Sequence, residues 1–190
     1  MYLYAKRIFD IFLIVAVMPL WLPIMIILAL LVKLTSKGPI FFKQKRFGKN
    51  KKIFVIYKFR SMKVDTPANV PTEQLRNVND CITGVGRIMR RLSLDELPQL
   101  INILKGDMSL VGPRPALYNQ NDLIIMRENC GANTVAVGLT GLAQIKGRDD
   151  LSMQEKVGYD GEYVRKKSFL FDMYILVATV GALLTGRGVK

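Results

Sequence analysis

The stretch "RRLSLDELPQL", residues 90–100, sets two carboxylates side by side, Asp95 and Glu96, behind a pair of arginines and at the head of a leucine-rich pattern. The chain contains no histidine. Acid, base or nucleophile chemistry therefore falls to carboxylates, lysines, tyrosines, hydroxyls or the two cysteines. Against a catalytic pair stands a structural reading: Ser93 followed by Glu96 fits the S-x-x-E capping box, and acids in a first turn complement the helix dipole. Pro98 strains that reading, because with Ser93 as cap it falls just beyond the first turn, where it forfeits a helical hydrogen bond. The helix then begins nearer Asp95 or bends there.

Two further stretches carry candidate anion chemistry. In "KGDMSLVGPRP" two prolines bracket Arg114 and fix its backbone, aiming a guanidinium fork that matches phosphate oxygens. In "GLTGLAQIKGR" Gly138, Gly141 and Gly147 precede Arg148. This run lacks Walker or dinucleotide spacing, so it is either a loop whose amides approach a phosphate or a tightly packed turn.

The elements that must hold these groups follow from the rest of the chain. At 190 residues it has the length of one domain with a core of ordinary size. Half the residues are hydrophobic and the formal charge is +13, a combination that points to a membrane surface rather than to nucleic acid. Cys81 and Cys130 form no C-x-x-C, which argues against zinc and against a disulfide framework; they read as reduced cytosolic thiols.

Ile11 to Val32 carries no charge and is long enough to cross a bilayer of roughly 30 Å hydrocarbon thickness. Pro19 and Pro23 near its middle predict a kink or break. Basic residues flank both ends, with Lys6 and Arg7 before and Lys33 and Lys37 after. They fit the positive-inside rule poorly for a spanning helix and better for a bent hairpin with both ends on one side. On residues alone, spanning and re-entrant forms both stand.

Residues 39–60 predict two short strands around Gly48-Lys49-Asn50, the second covered on both faces. Lysines and arginines without any acid between Lys33 and Lys63 read as a basic face for anionic lipid. Residues 64–80 read as a loop. Ile82–Leu104 returns to helical spacing, with Leu94, Leu97, Ile101 and Leu104 as its apolar stripe. The apolar C-terminal stretch, interrupted by Asp172, is short for a span and reads as an interfacial or core helix.

Taken together, "KRIFDI" at 6–11, "Q-x-R-x-G" at 44–48, "YKFRSM" at 57–62, "R-x-LSLDELPQL-x-N-x-LKGDMSLVGPRP" at 90–115, "G-x-TG-x-AQ-x-x-GR" at 138–148 and "D-x-x-YV" at 160–164 resemble the bacterial sugar transferases, the small monotopic phosphoglycosyl transferases. The resemblance implies a mainly α fold with a small β element (α+β). Residues 1–35 would form a re-entrant helix-break-helix membrane anchor bent at Pro19 and Pro23. Residues 36–190 would form a compact cytosolic catalytic domain with interfacial amphipathic helices, on the cytoplasmic face of a bacterial inner membrane.

It further implies transfer of a sugar 1-phosphate from a UDP-sugar to undecaprenyl phosphate, with release of UMP. Asp95 would be the nucleophile, Glu96 its partner, and Lys58, Arg60, Arg90, Arg114 and Arg148 would hold phosphate groups. The chemistry suits the residues: an aspartyl phosphate divides one hard transfer into two, and phosphoryl transfer needs charge neutralisation more than histidine. A magnesium ion on Asp95 and the diphosphate fits the same set. Expected partners are the two substrates and anionic membrane lipids, with no nucleic acid. The competing class is a membrane-tethered basic module that binds lipid or a partner without catalysis.

Two departures from the family pattern stand out. Leu22-Pro23 replaces a Ser-Pro at the bend, so the freed carbonyls need another donor. Ala136-Val137 and Leu142 replace an Arg-Pro and an aromatic near the glycines, which puts the local nucleotide contacts in question.

Overall fold

Period-2 patterning in residues 41–59 yields a hairpin of β1 (Phe41–Phe47) and β2 (Ile53–Phe59), antiparallel with Phe41 opposite Phe59 and Phe47 opposite Ile53. The computed structural model describes residues 2–67, 70 and 78–185. Alternation places Phe54, Ile56 and Lys58 of β2 on one face with Gln44 and Arg46 of β1. That face is the inner one: Phe54 and Ile56 are buried, whereas Ile53 and Val55 are exposed. Coverage on both faces, expected from the sequence, is corrected accordingly, since the two-stranded hairpin turns only one side of this stretch inward. At the strand's end Phe59 is buried instead among Met25, Leu28, Val32 and Met89.

Before the hairpin come α1 (Tyr2–Ala16) and α2 (Met18–Thr35), separated at Val17. The expected break is present, but it precedes the prolines. Pro19 sits in the first turn of α2, where a missing N–H costs little, and Pro23 lies inside that helix. Val17 still donates to Leu13, and the Trp21 indole donates to the Ile14 carbonyl at 2.9 Å. Trp21 is thus a donor to a helix-end carbonyl of the kind that Leu22 cannot supply. By length and composition α2 could cross a membrane, with a mean hydropathy of 2.1 and 17% of it buried within the protein.

After the hairpin, the described parts of 64–80 are a turn at Val64–Thr66 and the start of α3 (Val78–Cys81); the centre of the expected loop, 68–69 and 71–77, lies outside the described residues. The helix expected over Ile82–Leu104 is broken in two, α4 (Gly84–Arg91) and α5 (Gln99–Lys105). Its buried face is also different. Gln99, Leu100, Asn102 and Ile103 of α5 are buried, Leu94, Leu97 and Ile101 only partly so, and Leu104 is exposed.

The remaining elements are β3 (Ser109–Val111), α6 (Asn121–Asn129), β4 (Gly138–Thr140), α7 (Leu142–Lys146), α8 (Met153–Lys166) and α9 (Phe169–Thr185). Strands β3 and β4 pair in parallel, so the chain is α+β with a helical majority. One core joins Ile14 of α1, Phe54 and Ile56 of β2, Ile103 of α5, Val111 of β3 and Ile175 of α9.

Polar contacts set the order of these layers. The fully buried Asn102 accepts from the Tyr57 N–H at 3.0 Å and donates to the Val55 carbonyl at 2.8 Å, so α5 docks on β2 as a surrogate strand edge. Arg7 donates to the carbonyls of Ile103 and Leu104 at the end of α5, Asp10 accepts from Ser109 at 2.7 Å, and Lys6 pairs with Asp172 of α9 at 2.7 Å. Lys6 is therefore a buried partner, not a free flanking charge. Asp172, which interrupts the C-terminal apolar stretch, also accepts from Tyr2 and Tyr163. The other side of α9 is apolar and exposed at Leu170, Tyr174 and Val177.

Replacing Asn102 by Ala orphans one backbone donor and one acceptor, a loss of about 2–4 kcal/mol and a fall in Tm on the order of 5–10 °C. Thermal unfolding in detergent micelles measures this, and an unchanged Tm would remove Asn102 from the docking of α5.

Candidate active site

The two acids owe their place to a failed cap. Helix α4 starts properly, with the Thr83 hydroxyl accepting from the Gly86 N–H at 3.0 Å, and ends with Arg90 and Arg91 in its last turn. Ser93 then adopts a left-handed conformation, φ 55° and ψ 21°, and makes no side-chain cap. The chain reverses into a single 3-10 turn, Leu94–Glu96, and Pro98 stands just before α5, where no helical hydrogen bond is lost. The capping box expected at Ser93 and Glu96 is corrected: Glu96 turns away from the backbone toward two cations.

Lys58 donates to Glu96 Oε1 at 2.8 Å. Arg114 grips the same carboxylate with both terminal nitrogens, Nη1 to Oε2 at 3.2 Å and Nη2 to Oε1. Burial alone would raise the Glu96 carboxyl; the charges and hydrogen bonds of Arg114 and Lys58 outweigh it and hold the group well below the usual glutamate range. Burial pushes the Lys58 amine down, opposed by Glu96.

Asp95 is equally buried, at 7% exposure, yet it takes part in none of the hydrogen bonds or ion pairs found among the described residues. Burial pushes its carboxyl above the ordinary aspartate value; the charge of Lys58 opposes the rise, that of Glu96 adds to it, and those of Arg90 and Arg114 oppose it. The neighbours have thus been sorted: one carboxylate is locked by cations, and the other is left without a bonded partner. A carboxylate without a bonded partner is chemically able to act as a nucleophile.

The loop carrying Arg114 is closely packed for a specific reason. Glycines let it lie directly on the next segment: a Cβ on Gly112 would stand 2.2 Å from the Ala136 carbonyl oxygen, and one on Gly138 2.2 Å from the Gly112 nitrogen. The glycine-rich run is accordingly a packed turn. Val137, at a departure from the family pattern, is buried in the core and accepts from the Ser109 N–H at 2.9 Å, and Leu142 is buried beside it.

The predicted residues do not all converge. Lys58 and Arg114 meet at Glu96, and Arg90 lies close enough for its charge to act on Asp95. Arg148, left-handed at φ 54°, reaches the turn indirectly by donating to the Ser93 hydroxyl at 3.0 Å. Two non-glycine residues in left-handed geometry are thus tied together beside the acids, a concentration of backbone strain of the kind found at functional sites. Arg60 is elsewhere. Its Nη2 donates to the Ser36 carbonyl and hydroxyl at 2.9 and 2.6 Å, bracing the end of α2 against β2.

Sequence reasoning missed Arg46 as a site residue. Its guanidinium lies on the hairpin's inner face, bonded to Gln44 at 2.9 and 2.6 Å and to the Pro115 carbonyl at 3.0 Å. Burial, with the positive charge of Arg114 adding, pushes it down to about 10. The available signal was its place in the "Q-x-R-x-G" stretch on the same face as Lys58. Among the described residues no cluster of three or more acidic or thiol groups could hold a metal by itself. Asp95 remains as one carboxylate donor, and one carboxylate with diphosphate oxygens and water is a donor set that magnesium accepts.

The sequence matches the family described as bacterial sugar transferase over residues 1–186. The chain belongs to that family. This sugar transferase is 39% identical over 187 residues to the protein of Bacillus subtilis (strain 168) named "Uncharacterized sugar transferase EpsL", covering 97% of this chain and 90% of that one. It is 42% identical over 182 residues to the UDP-glucose:undecaprenyl-phosphate glucose-1-phosphate transferase of Escherichia coli (strain K12), covering 92% of this chain but only 39% of that longer protein. With the exopolysaccharide production protein ExoY of Rhizobium meliloti (strain 1021) the identity is 35% over 205 residues, covering 97% and 87%. The sugar transferase thus spans well under half of the Escherichia coli relative.

The split between the two acids is directly measurable. In a carboxyl carbon-13 titration, assigned with Asp95→Asn, Asp95 should titrate above its ordinary value of 3.8. In Glu96→Gln, Lys58 and Arg114 lose their counter-charge and act on Asp95 unopposed, so its midpoint should move down. A wild-type midpoint at or below 3.8 would contradict the geometry's division of roles.

Proposed function

We propose that this chain transfers a sugar 1-phosphate from a UDP-sugar to undecaprenyl phosphate and releases UMP, through a covalent sugar-phosphoryl aspartate. The carrying observation is the buried, unbonded Asp95 beside a Glu96 locked between Lys58 and Arg114. An Asp95 oxygen attacks the phosphorus that bears the sugar, and the bond from that phosphorus to the bridging oxygen breaks, so UMP leaves with the electron pair. An oxygen of the lipid phosphate then attacks the same phosphorus and expels the Asp95 carboxylate. No net proton transfer to a side chain is required, which agrees with a site lacking histidine.

Glu96 keeps Lys58 and Arg114 close to the attacked phosphoryl group, where they offset the charge that spreads over its oxygens. Arg90 adds positive charge at Asp95 and favours its ionised form. Arg148 fixes the Ser93 turn and is the nearer candidate for a second phosphate contact; Arg60 supports the anchor. Asp95 would hold magnesium together with the diphosphate, and such an ion neutralises phosphate charge. Relatives named for UDP-glucose make that nucleotide sugar the first donor to test.

The same reading gives the apolar surface its use. In a re-entrant anchor over residues 1–35, exposed Leu20, Ile26, Ile27, Leu30 and Leu34 of α2 would lie in one leaflet, with the exposed face of α9 at the interface. Each large side chain so covered contributes roughly 1.5–3 kcal/mol. Lysines of the hairpin would rest on anionic headgroups at the cytoplasmic face.

Initial rates of UMP release from a panel of UDP-sugars, with undecaprenyl phosphate in nanodiscs, test the proposal. The expected result is turnover with UDP-glucose or a close relative, parallel double-reciprocal lines, loss of turnover on chelation, and none in Asp95→Asn. Intersecting lines, or robust turnover in Asp95→Asn, would contradict the two-step route; no release with any sugar would favour a binding module.

A further inference from the structure

Four successive carbonyls around Arg114 are each taken by a donor from elsewhere in the chain. Pro113 accepts from the Gly138 N–H at 2.9 Å, Arg114 from Arg127 Nη1 at 2.9 Å, Pro115 from Arg46 Nη1 at 3.0 Å and Ala116 from the Phe47 N–H at 2.9 Å. The chemistry of the segment explains the pattern. Two of its residues are prolines without an N–H, so at those positions it can be fastened only through its oxygens. Two of the four donors are backbone groups that neighbouring strands supply in passing. The other two are guanidinium groups, that of Arg127 buried and that of Arg46 partly so, and a buried charge is costly to place.

Arg127, on α6, is 5% exposed, and Asp160, on α8, is 2% exposed. Asp160 Oδ2 accepts from Arg127 Nε at 2.9 Å and lies 2.6 Å from Nη2. That leaves Nη1 to reach the Arg114 carbonyl, and because the guanidinium is planar and rigid, the position of Asp160 fixes where Nη1 points. Stability alone is a poor reason for such a pair, since well-packed apolar residues of similar volume often hold a fold as well. Apolar residues cannot donate to a carbonyl. Neither residue touches the acids directly.

We propose that the Asp160–Arg127 pair, together with Arg46, is a positioning device for Arg114: it holds the peptide of that residue so that its guanidinium meets Glu96 and, on the function proposed above, the transferred phosphoryl group. Arg127 and Asp160 act through the backbone of Arg114 and are positioning residues, not catalytic ones. Displacing that peptide swings the side chain, and misplacement by about 1 Å can cost on the order of a hundredfold in rate.

Two variants test this in nanodiscs. Arg127→Lys keeps a charge for Asp160 but loses the fork; the double variant Arg127→Met with Asp160→Leu removes both charges together and is expected to fold. Hydrogen exchange by mass spectrometry should show faster exchange at Gly112, Arg114, Ala116 and Leu117 in both, with α5 unchanged. The kcat for UMP release should fall roughly ten- to a hundredfold, with KM for the nucleotide sugar within about threefold. In an Arg114→Lys background most of that loss should disappear, because the two changes act on one group. The proposal is overturned by unchanged exchange at 112–117, by a rise shared equally with α5, or by losses that multiply in full in the Arg114→Lys background. An inactive parent chain would count against the proposed function alone, since the exchange pattern decides the clamp without turnover.

Discussion

A single glutamate shared by two cations governs the rest of this molecule. Adjacent buried carboxylates cannot both carry charge unless something compensates them, and here Lys58 and Arg114 compensate Glu96, at 2.8 Å and through a two-nitrogen grip. Removing either cation would leave this buried carboxylate with one charged partner instead of two. The three groups come from different parts of the chain: an inward position of β2, a 3-10 turn between α4 and α5, and the proline-bracketed loop after β3. Much of the architecture is what brings them to one point. Asn102 docks α5 on β2, glycines let the loop lie against β4, and N–H groups from elsewhere in the chain fasten it by donating to its carbonyls.

The same network reaches the apolar helices. Through Arg7, α1 caps the end of α5, the helix whose beginning follows the acids; through Asp10 it holds β3, and through Lys6 it holds α9. In the proposed membrane arrangement these contacts tie the depth of the anchor to the height of Asp95, because α1 bonds directly to α5, β3 and α9. A lipid phosphate fixed at headgroup level can be met only by a site whose height is fixed. The charged residues of the "KRIFDI" stretch therefore serve the catalytic body, even though they precede the apolar run.

The hairpin, the interruption of the N-terminal apolar run, the acid pair and Arg114 were legible because each rests on local chemistry: alternation, proline, adjacent charges, and a guanidinium between two prolines. What escaped depends on partners distant in sequence. Ser93 and Glu96 have the same pattern as Ser152 and Glu155, yet only the latter pair forms a capping box, with Ser152 N–H to Glu155 at 2.8 Å and the Glu155 N–H to Ser152 at 3.3 Å. Nothing in four residues of sequence says that Glu96 has better partners. Arg60 and Lys58 are two apart on one strand and by alternation would share a face, but the strand ends at Phe59, and Arg60 turns to Ser36 instead. The hold of Arg46 and Arg127 on the Arg114 loop was missed because there they bond main-chain oxygens, of Pro115 and Arg114, which have no signature in side-chain identity.

In the proposed reaction Asp95 carries the sugar phosphate between two substrates. Intact-protein mass spectrometry of the chain mixed with UDP-glucose and no lipid acceptor addresses it directly. The two-step route predicts UMP release approaching one equivalent, a mass gain of one hexose phosphate that maps to Asp95, and loss of that gain when undecaprenyl phosphate is added. If the chain turns over with both substrates present but releases UMP only when the lipid is there, and never gains mass without it, the phosphoryl group passes directly between substrates and the two-step route is contradicted.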